Sequence, residues 1–140
     1  MTNQIYPCLW FDGQAKEAAE FYCSIFKNSK ITVDTPMVAM FELNGATYMG
    51  LNGGPHFKFN EAVSLVVNCD TQEEIDNYWT KLTAGGQESN CGWLKDKFGL
   101  SWQIVPTILS KLMTDPERSQ RIMEAFMKMK KIDIDALVNV

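Results

Sequence analysis

At 140 residues, with 46% apolar and 21% charged side chains, the chain has the size and balance of one globular domain with room for a hydrophobic core. Its net charge of −4 argues against a nucleic-acid backbone as partner, because binding by counterion release needs clustered Lys and Arg. The apolar stretches are too short to span a bilayer and the N-terminus lacks a signal-peptide pattern, so no membrane partner and a cytoplasmic location are expected.

Ile5–Phe11 alternates as a strand and Asp12-Gly13 breaks it. Ala15, Ala18, Ala19, Tyr22, Ile25 and Phe26 then recur at helical spacing, and Asn28-Ser29 ends that helix. Strands are expected at Ile31–Thr35 and Met37–Leu43. Asn44-Gly45 is a strong two-residue hairpin signal, since both residues tolerate positive φ, and the return strand is Ala46–Leu51. After a hinge at Asn52-Gly53-Gly54-Pro55 comes a strand at Ala62–Asn68. Thr71 and Glu74 form a capping box for a second helix, whose buried stripe is Ile75, Tyr78, Trp79 and Leu82 and whose end is Gly85-Gly86. Trp93–Lys95 and Leu100–Val105 make a hairpin across 96–99, and Pro106 stops it. The tail reads as helix at Ile108–Met113, helix at Pro116–Lys131 capped by Asp115, and a turn near Ile134–Leu137. Ile122, Phe126 and Met129 predict that this tail packs on a sheet or on a second subunit.

The two halves repeat one plan. Phe21-Tyr22 and Tyr78-Trp79 stand 57 positions apart on helices that align without a gap. Half-size units that each bury one face commonly complete one another's core. The expected fold is α+β: two βαβββ modules, about 4–53 and 62–106, with a helical tail over 107–140, in a single domain.

The four cysteines, Cys8, Cys23, Cys69 and Cys91, have no metal-ligand spacing and are expected as reduced thiols. Cys91, between Asn90 and Gly92, is the one candidate nucleophile. His56, the single histidine, suits general acid-base work near neutral pH, but with no carboxylate partner legible in the sequence the favoured reading is that it orders the hinge by bonding a backbone group. Glu42, beside the Asn44-Gly45 turn, reads as a solvated strand-end charge. Trp93 and Lys95 share one strand face.

Three segments carry a resemblance: Pro7–Ala15, Asn52–Phe57 and, most specifically, Cys91–Gln103 (CGWLKDKFGLSWQ). With the duplicated βαβββ plan, they resemble the PhnB-like branch of the glyoxalase/bleomycin resistance/dioxygenase (vicinal oxygen chelate) superfamily. That branch is often labelled 3-demethylubiquinone-9 3-methyltransferase, although the sequence shows no strand followed by a glycine-rich loop for a nucleotide-like methionine cofactor. The resemblance implies curved mixed sheets forming cups, and a homodimer. Metal enzymes of the superfamily hold a divalent ion through His, Gln or Glu on the first and last strands of a module. Those positions fall here at Pro7, Gly50, Ser64 and Gln103, of which only Gln103 carries a competent donor. No cofactor and no metal at the usual location are therefore expected. Trp10, Trp93 and Gln103 are the expected pocket residues. The leading functional expectation is a protein that holds a small organic molecule in a metal-free cup. The alternatives are a metal-dependent lyase, isomerase or dioxygenase with its ion displaced toward His56, Gln103 or Glu42, a transferase working through Cys91 or His56, and an interaction dimer without ligand.

Overall fold

A computed structural model describes residues 3–140. The chain folds as two compact units, one reaching to Phe59 and the other Asn60–Val140.

The first unit runs β1 (Cys8–Phe11), α1 (Ala15–Ile25), β2 (Lys30–Asp34), β3 (Val38–Leu43) and β4 (Ala46–Asn52). Its sheet order is β1-β4-β3-β2, with β1 parallel to β4 and the other pairs antiparallel. Alternation sorts the side chains. Leu9, Phe11, Ala39, Phe41 and Leu43 are buried on the face covered by α1, which brings Ala15, Ala18, Ala19, Tyr22 and Ile25 to meet them. The alanines let the helix lie close, so a Cβ added at Gly50 would stand 3.2 Å from that of Ala15. The cap of α1 comes from far along the chain: Asn52 Oδ1 accepts from Ala15 N at 2.9 Å while its Nδ2 donates to the Pro36 carbonyl at 3.0 Å. Asn44 and Gly45 take φ of 48° and 85°, the two positive angles a tight hairpin needs.

The second unit runs β5 (Ser64–Cys69), α2 (Gln72–Thr83), β6 (Gln87–Glu88), β7 (Trp93–Lys95) and β8 (Ser101–Pro106), then α3 (Ile108–Leu112), α4 (Ser119–Met127) and α5 (Ile134–Val138). The sheet order β5-β8-β7-β6 repeats that of the first unit. Its helix-covered face buries Leu94, Trp102 and Ile104 with Ile75, Trp79 and Leu82 of α2. The expected capping box is present, with the Thr71 hydroxyl accepting from Glu74 N and Glu74 Oε1 accepting from Thr71 N. Strand β6 is an addition to the expected elements, because two polar residues show no periodicity.

The tail helix is shorter than its pattern predicts. The Asp115 carbonyl accepts from Arg118 N and Ser119 N and its carboxylate from Glu117 N, closing a turn that delays α4 to Ser119. Beyond Met127 the chain leaves the helix, and the Met129 and Lys130 carbonyls accept from Cys91 N and Gly92 N. Gln72 clamps the stretch leading into α5, donating to the Ile132 carbonyl and accepting from Ile134 N. With Ile122, Ile132 and Leu137 buried, the tail packs within its own unit. Among the described residues no helix is long and apolar enough to cross a membrane.

Candidate functional site

Each sheet has a second face, turned away from its helix. In the second unit, pairing places Ser64 and Lys95 opposite Ser101, and Val66 and Trp93 opposite Gln103. Paired residues share a face and alternate residues along a strand share it too, so Ser64, Val66, Trp93, Lys95, Ser101 and Gln103 form one surface. Two of the expected pocket residues, Trp93 and Gln103, are thus direct cross-strand neighbours. Gln103 Nε2 donates to Ser64 Oγ at 2.9 Å. Lys95 Nζ pairs with Glu61 Oε1 at 3.1 Å, and that hydrogen bond holds the Glu61 carboxyl below its ordinary value. Ser101 is fully buried, and its hydroxyl has no hydrogen-bond partner among the described residues. Such an orphan costs about 1–3 kcal/mol.

Of these, Glu61, Trp93, Lys95 and Ser101 line a cleft of about 170 Å³, together with Gln87 and Glu88. Glu88 is already engaged, accepting from Trp79 Nε1 at 2.6 Å. Sequence reasoning missed Glu61 and Ser101. Ser101 was findable, two positions before Gln103 on one strand, whereas nothing in the sequence ties Glu61 to Lys95.

The hairpin that presents this surface is built around a buried carboxylate. Asp96 Oδ1 accepts from Phe98 N and Leu100 N at 2.8 and 3.1 Å, and its Oδ2 from Trp102 Nε1 at 2.8 Å. The Asp-Lys-Phe-Gly-Leu-Ser-Trp stretch is therefore a scaffold motif: it fixes β7 against β8 and so sets Trp93 and Lys95 beside Ser101 and Gln103.

The remaining candidates lie elsewhere. Trp10 belongs to the first unit, where its indole N–H donates to the Gly54 carbonyl at 2.8 Å and its ring edges Phe57. A Cβ at Gly53 would sit 2.2 Å from that ring, so the glycine is required by the indole. His56 is exposed in the same hinge, near Gly54. Cys91 is half-buried with φ of 61°, its Sγ 3.7 Å from Met127 Sδ. Burial pushes the Cys8 and Cys23 thiols above their ordinary value. Glu42 is half-buried on β3. His56 and Glu42 are in the first unit and Gln103 is in the second.

The positions expected to match metal ligands need one correction. Gly50, with Leu9 and Phe11, is on the helix-covered face, and alternation puts Pro7 there as well. The open-face residues one place along are Cys8 and Met49, which pair directly. A thiol beside a thioether suits soft monovalent ions, and a serine bonded to a carboxamide is a poor set for a divalent ion. Among the described residues no group of three His, Cys, Asp or Glu could hold a metal. The side chains present at these positions do not fit a divalent ion.

Residues 3–105 match the model of the family described as 3-demethylubiquinone-9 3-methyltransferase. Among solved structures, the chain is 34% identical to a Bacillus cereus PhnB protein assigned to the 3-demethylubiquinone-9 3-methyltransferases, covering 75% of this chain and 100% of that one with a TM-score of 0.69. A Pseudomonas aeruginosa protein is similar at 20% identity and TM-score 0.64, over 75% of this chain and 98% of that one. The fosfomycin resistance protein of Listeria monocytogenes, solved with Mn(II) and sulfate, shares the fold at 13% identity and TM-score 0.61, over 81% and 98%. No curated protein matches the chain. The family match and the Bacillus cereus structure together place this chain in the PhnB-like 3-demethylubiquinone-9 3-methyltransferase family, on a fold shared with glyoxalase-related and fosfomycin resistance proteins.

Proposed function

We propose that this protein binds a small organic molecule on the open face of its second sheet, without the divalent ion used by metal enzymes of the superfamily. The observation that carries this reading is the Gln103–Ser64 hydrogen bond, which joins two positions where metal enzymes would carry ligands, beside a tryptophan wall and an unpartnered hydroxyl. A few polar groups converging beside an aromatic surface suit orientation of a small ligand. The reading extends to the two modules and tail acting as one domain, and to a cytoplasmic homodimer. β2 and β6 are sheet edges, and Val33 on β2 is exposed; such edges are commonly covered.

Native mass spectrometry of gently purified protein tests all of this together. The expected species is a dimer free of divalent metal that carries a small organic mass. One divalent ion per module would overturn the reading.

The family description favours a second reading, methyl transfer. The cleft of about 170 Å³ is below the roughly 300 Å³ at which drug-sized ligands begin to fit. A nucleoside-bearing methyl donor would need further space. Adenosylmethionine titrated by calorimetry decides the matter: saturable binding supports the transferase reading, and its absence at millimolar donor removes it.

A further inference from the structure

The cleft beside β7 has a charge pattern that narrows the class of ligand, an inference that rests on the second sheet being a small-molecule site. Lys95 brings one ammonium and Glu61 one carboxylate, while Glu88, opposite buried Leu94 and bonded to Trp79 Nε1, has its carboxylate engaged on the helix-covered face. Lys95 and Glu61 face each other at 3.1 Å with both side chains partly in solvent, 36% and 64% exposed. An ion pair that exposed holds itself together weakly, so a ligand can insert between its members. The Ser101 hydroxyl is buried at the same place and has neither donor nor acceptor opposite it. Trp93, half-buried and also lining the cleft, supplies an aromatic surface of the kind that attracts a cation.

We propose that this cleft takes a small zwitterion of free amino-acid type, its carboxylate on Lys95 and Ser101 and its ammonium on Glu61 and Trp93. The alternatives fail on charge. A lone anion would take Lys95 and leave the Glu61 carboxylate unpaired beside a second negative charge. A lone amine would leave Lys95 unpaired and close to a second cation. A zwitterion replaces the Lys95–Glu61 contact by one partner for each and gives the orphan hydroxyl an acceptor. Size agrees, because 170 Å³ is about six water volumes, too little for a nucleotide and enough for a small amino acid.

The test is saturation-transfer NMR followed by calorimetry on the full chain with glycine, L-serine and L-leucine. Each is set beside the acid lacking its amino group and the amine lacking its carboxylate. At least one amino acid is expected to bind saturably at millimolar concentration or below, with both truncated counterparts at least tenfold weaker. Lys95→Met and Glu61→Gln, surface changes that leave the fold intact by circular dichroism, should each weaken it at least tenfold, and Ser101→Ala about threefold or more. The acid or the amine binding as well as its parent would overturn the proposal, as would unchanged affinity in Lys95→Met. A co-purified mass retained by Lys95→Met would also overturn it while leaving the small-molecule reading standing. Absence of any bound mass and of any probe binding would remove both.

Discussion

The two modules share strand order, helix placement and a buried face, yet their open faces differ in kind. On the first sheet Cys8, Met49 and Met40 form one cross-strand row, flanked by Trp10, Leu51 and Val38. On the second, Ser64, Ser101 and Lys95 form one row and Val66, Gln103 and Trp93 the next. The middle of the first surface is sulfur and hydrocarbon, with Glu42, Thr47 and Lys30 toward its hairpin end; the middle of the second holds polar and charged groups. The buried faces had to remain alike, because each receives an amphipathic helix, whereas α1 and α2 leave the open faces uncovered. Divergence there shows where a repeated fold is free to acquire chemistry, and it supports the site proposed on the second copy.

The hairpins make the first contrast to break. The first turn closes on backbone geometry, through positive φ at Asn44 and Gly45, with Ser29 Oγ accepting from Asn44 N. The second closes on Asp96, 3% exposed and accepting three hydrogen bonds. Asp96→Ala would leave those donors without their acceptor in the interior. A loss of about 3 kcal/mol or more is expected in urea unfolding. Asn44→Ala, which only puts a Cβ with no local hydrogen bond into left-handed backbone, should lose about 1 kcal/mol. Equal losses would mean that the Asp96 network is not what holds the second hairpin.

Helix caps come next in size, and they mark how much was legible in advance. The Thr71–Glu74 box was readable because donor and acceptor lie three residues apart. The Asn52 cap on Ala15 spans 37 positions and becomes visible only once β4 lies beside the start of α1. The same division holds at the site. Trp93 and Gln103 could be placed by alternation and by resemblance. Glu61 comes from an irregular segment with no period to read, and the role of Asp96 depends on where Trp102 ends up. Helices and hairpins carry local signals; a contact that needs a finished sheet carries none. Asn52→Ala should cost about 2 kcal/mol, since it also releases the Pro36 carbonyl, against about 1 kcal/mol for Thr71→Ala. The opposite ranking in thermal unfolding would reverse this account of the first helix.

Thiol burial sharpens the contrast at high pH. Cys8 on the first open face is exposed. Cys69 at the end of β5 is fully buried, and burial, with smaller contributions from Glu74 and Asp70, pushes its thiol up to about 12 from an ordinary 9.0. Between those values the folded chain keeps a proton that the unfolded chain has lost, so stability must fall as pH rises. The contribution is intact below about pH 9 and declines toward pH 12 by on the order of 1 kcal/mol per unit. Lysines and tyrosines titrate in the same window, so the informative quantity is a difference between variants. Both thiols are raised, Cys69 far enough to reach about 12, so Cys69→Ala should flatten the alkaline slope more than Cys8→Ala. Equal slopes in wild type and Cys69→Ala would detach the effect from this thiol.

The smallest effect on stability should accompany the largest on ligand. Gln103 is half-buried and bonded to Ser64, so Gln103→Ala removes one partly solvated hydrogen bond and should cost no more than about 1 kcal/mol. Its neighbour Trp102, 2% exposed on the opposite face, should cost about 3–5 kcal/mol when cut to alanine. If the second open face holds the ligand, Gln103→Ala loses the co-purified mass in native mass spectrometry at nearly full stability. Met49→Ala, on the open face of the first sheet, keeps it. Loss of the mass in Met49→Ala with an unchanged unfolding midpoint would assign ligand contacts to the first sheet too, and the difference in chemistry between the faces would then mark two parts of a binding surface rather than a site and its silent copy.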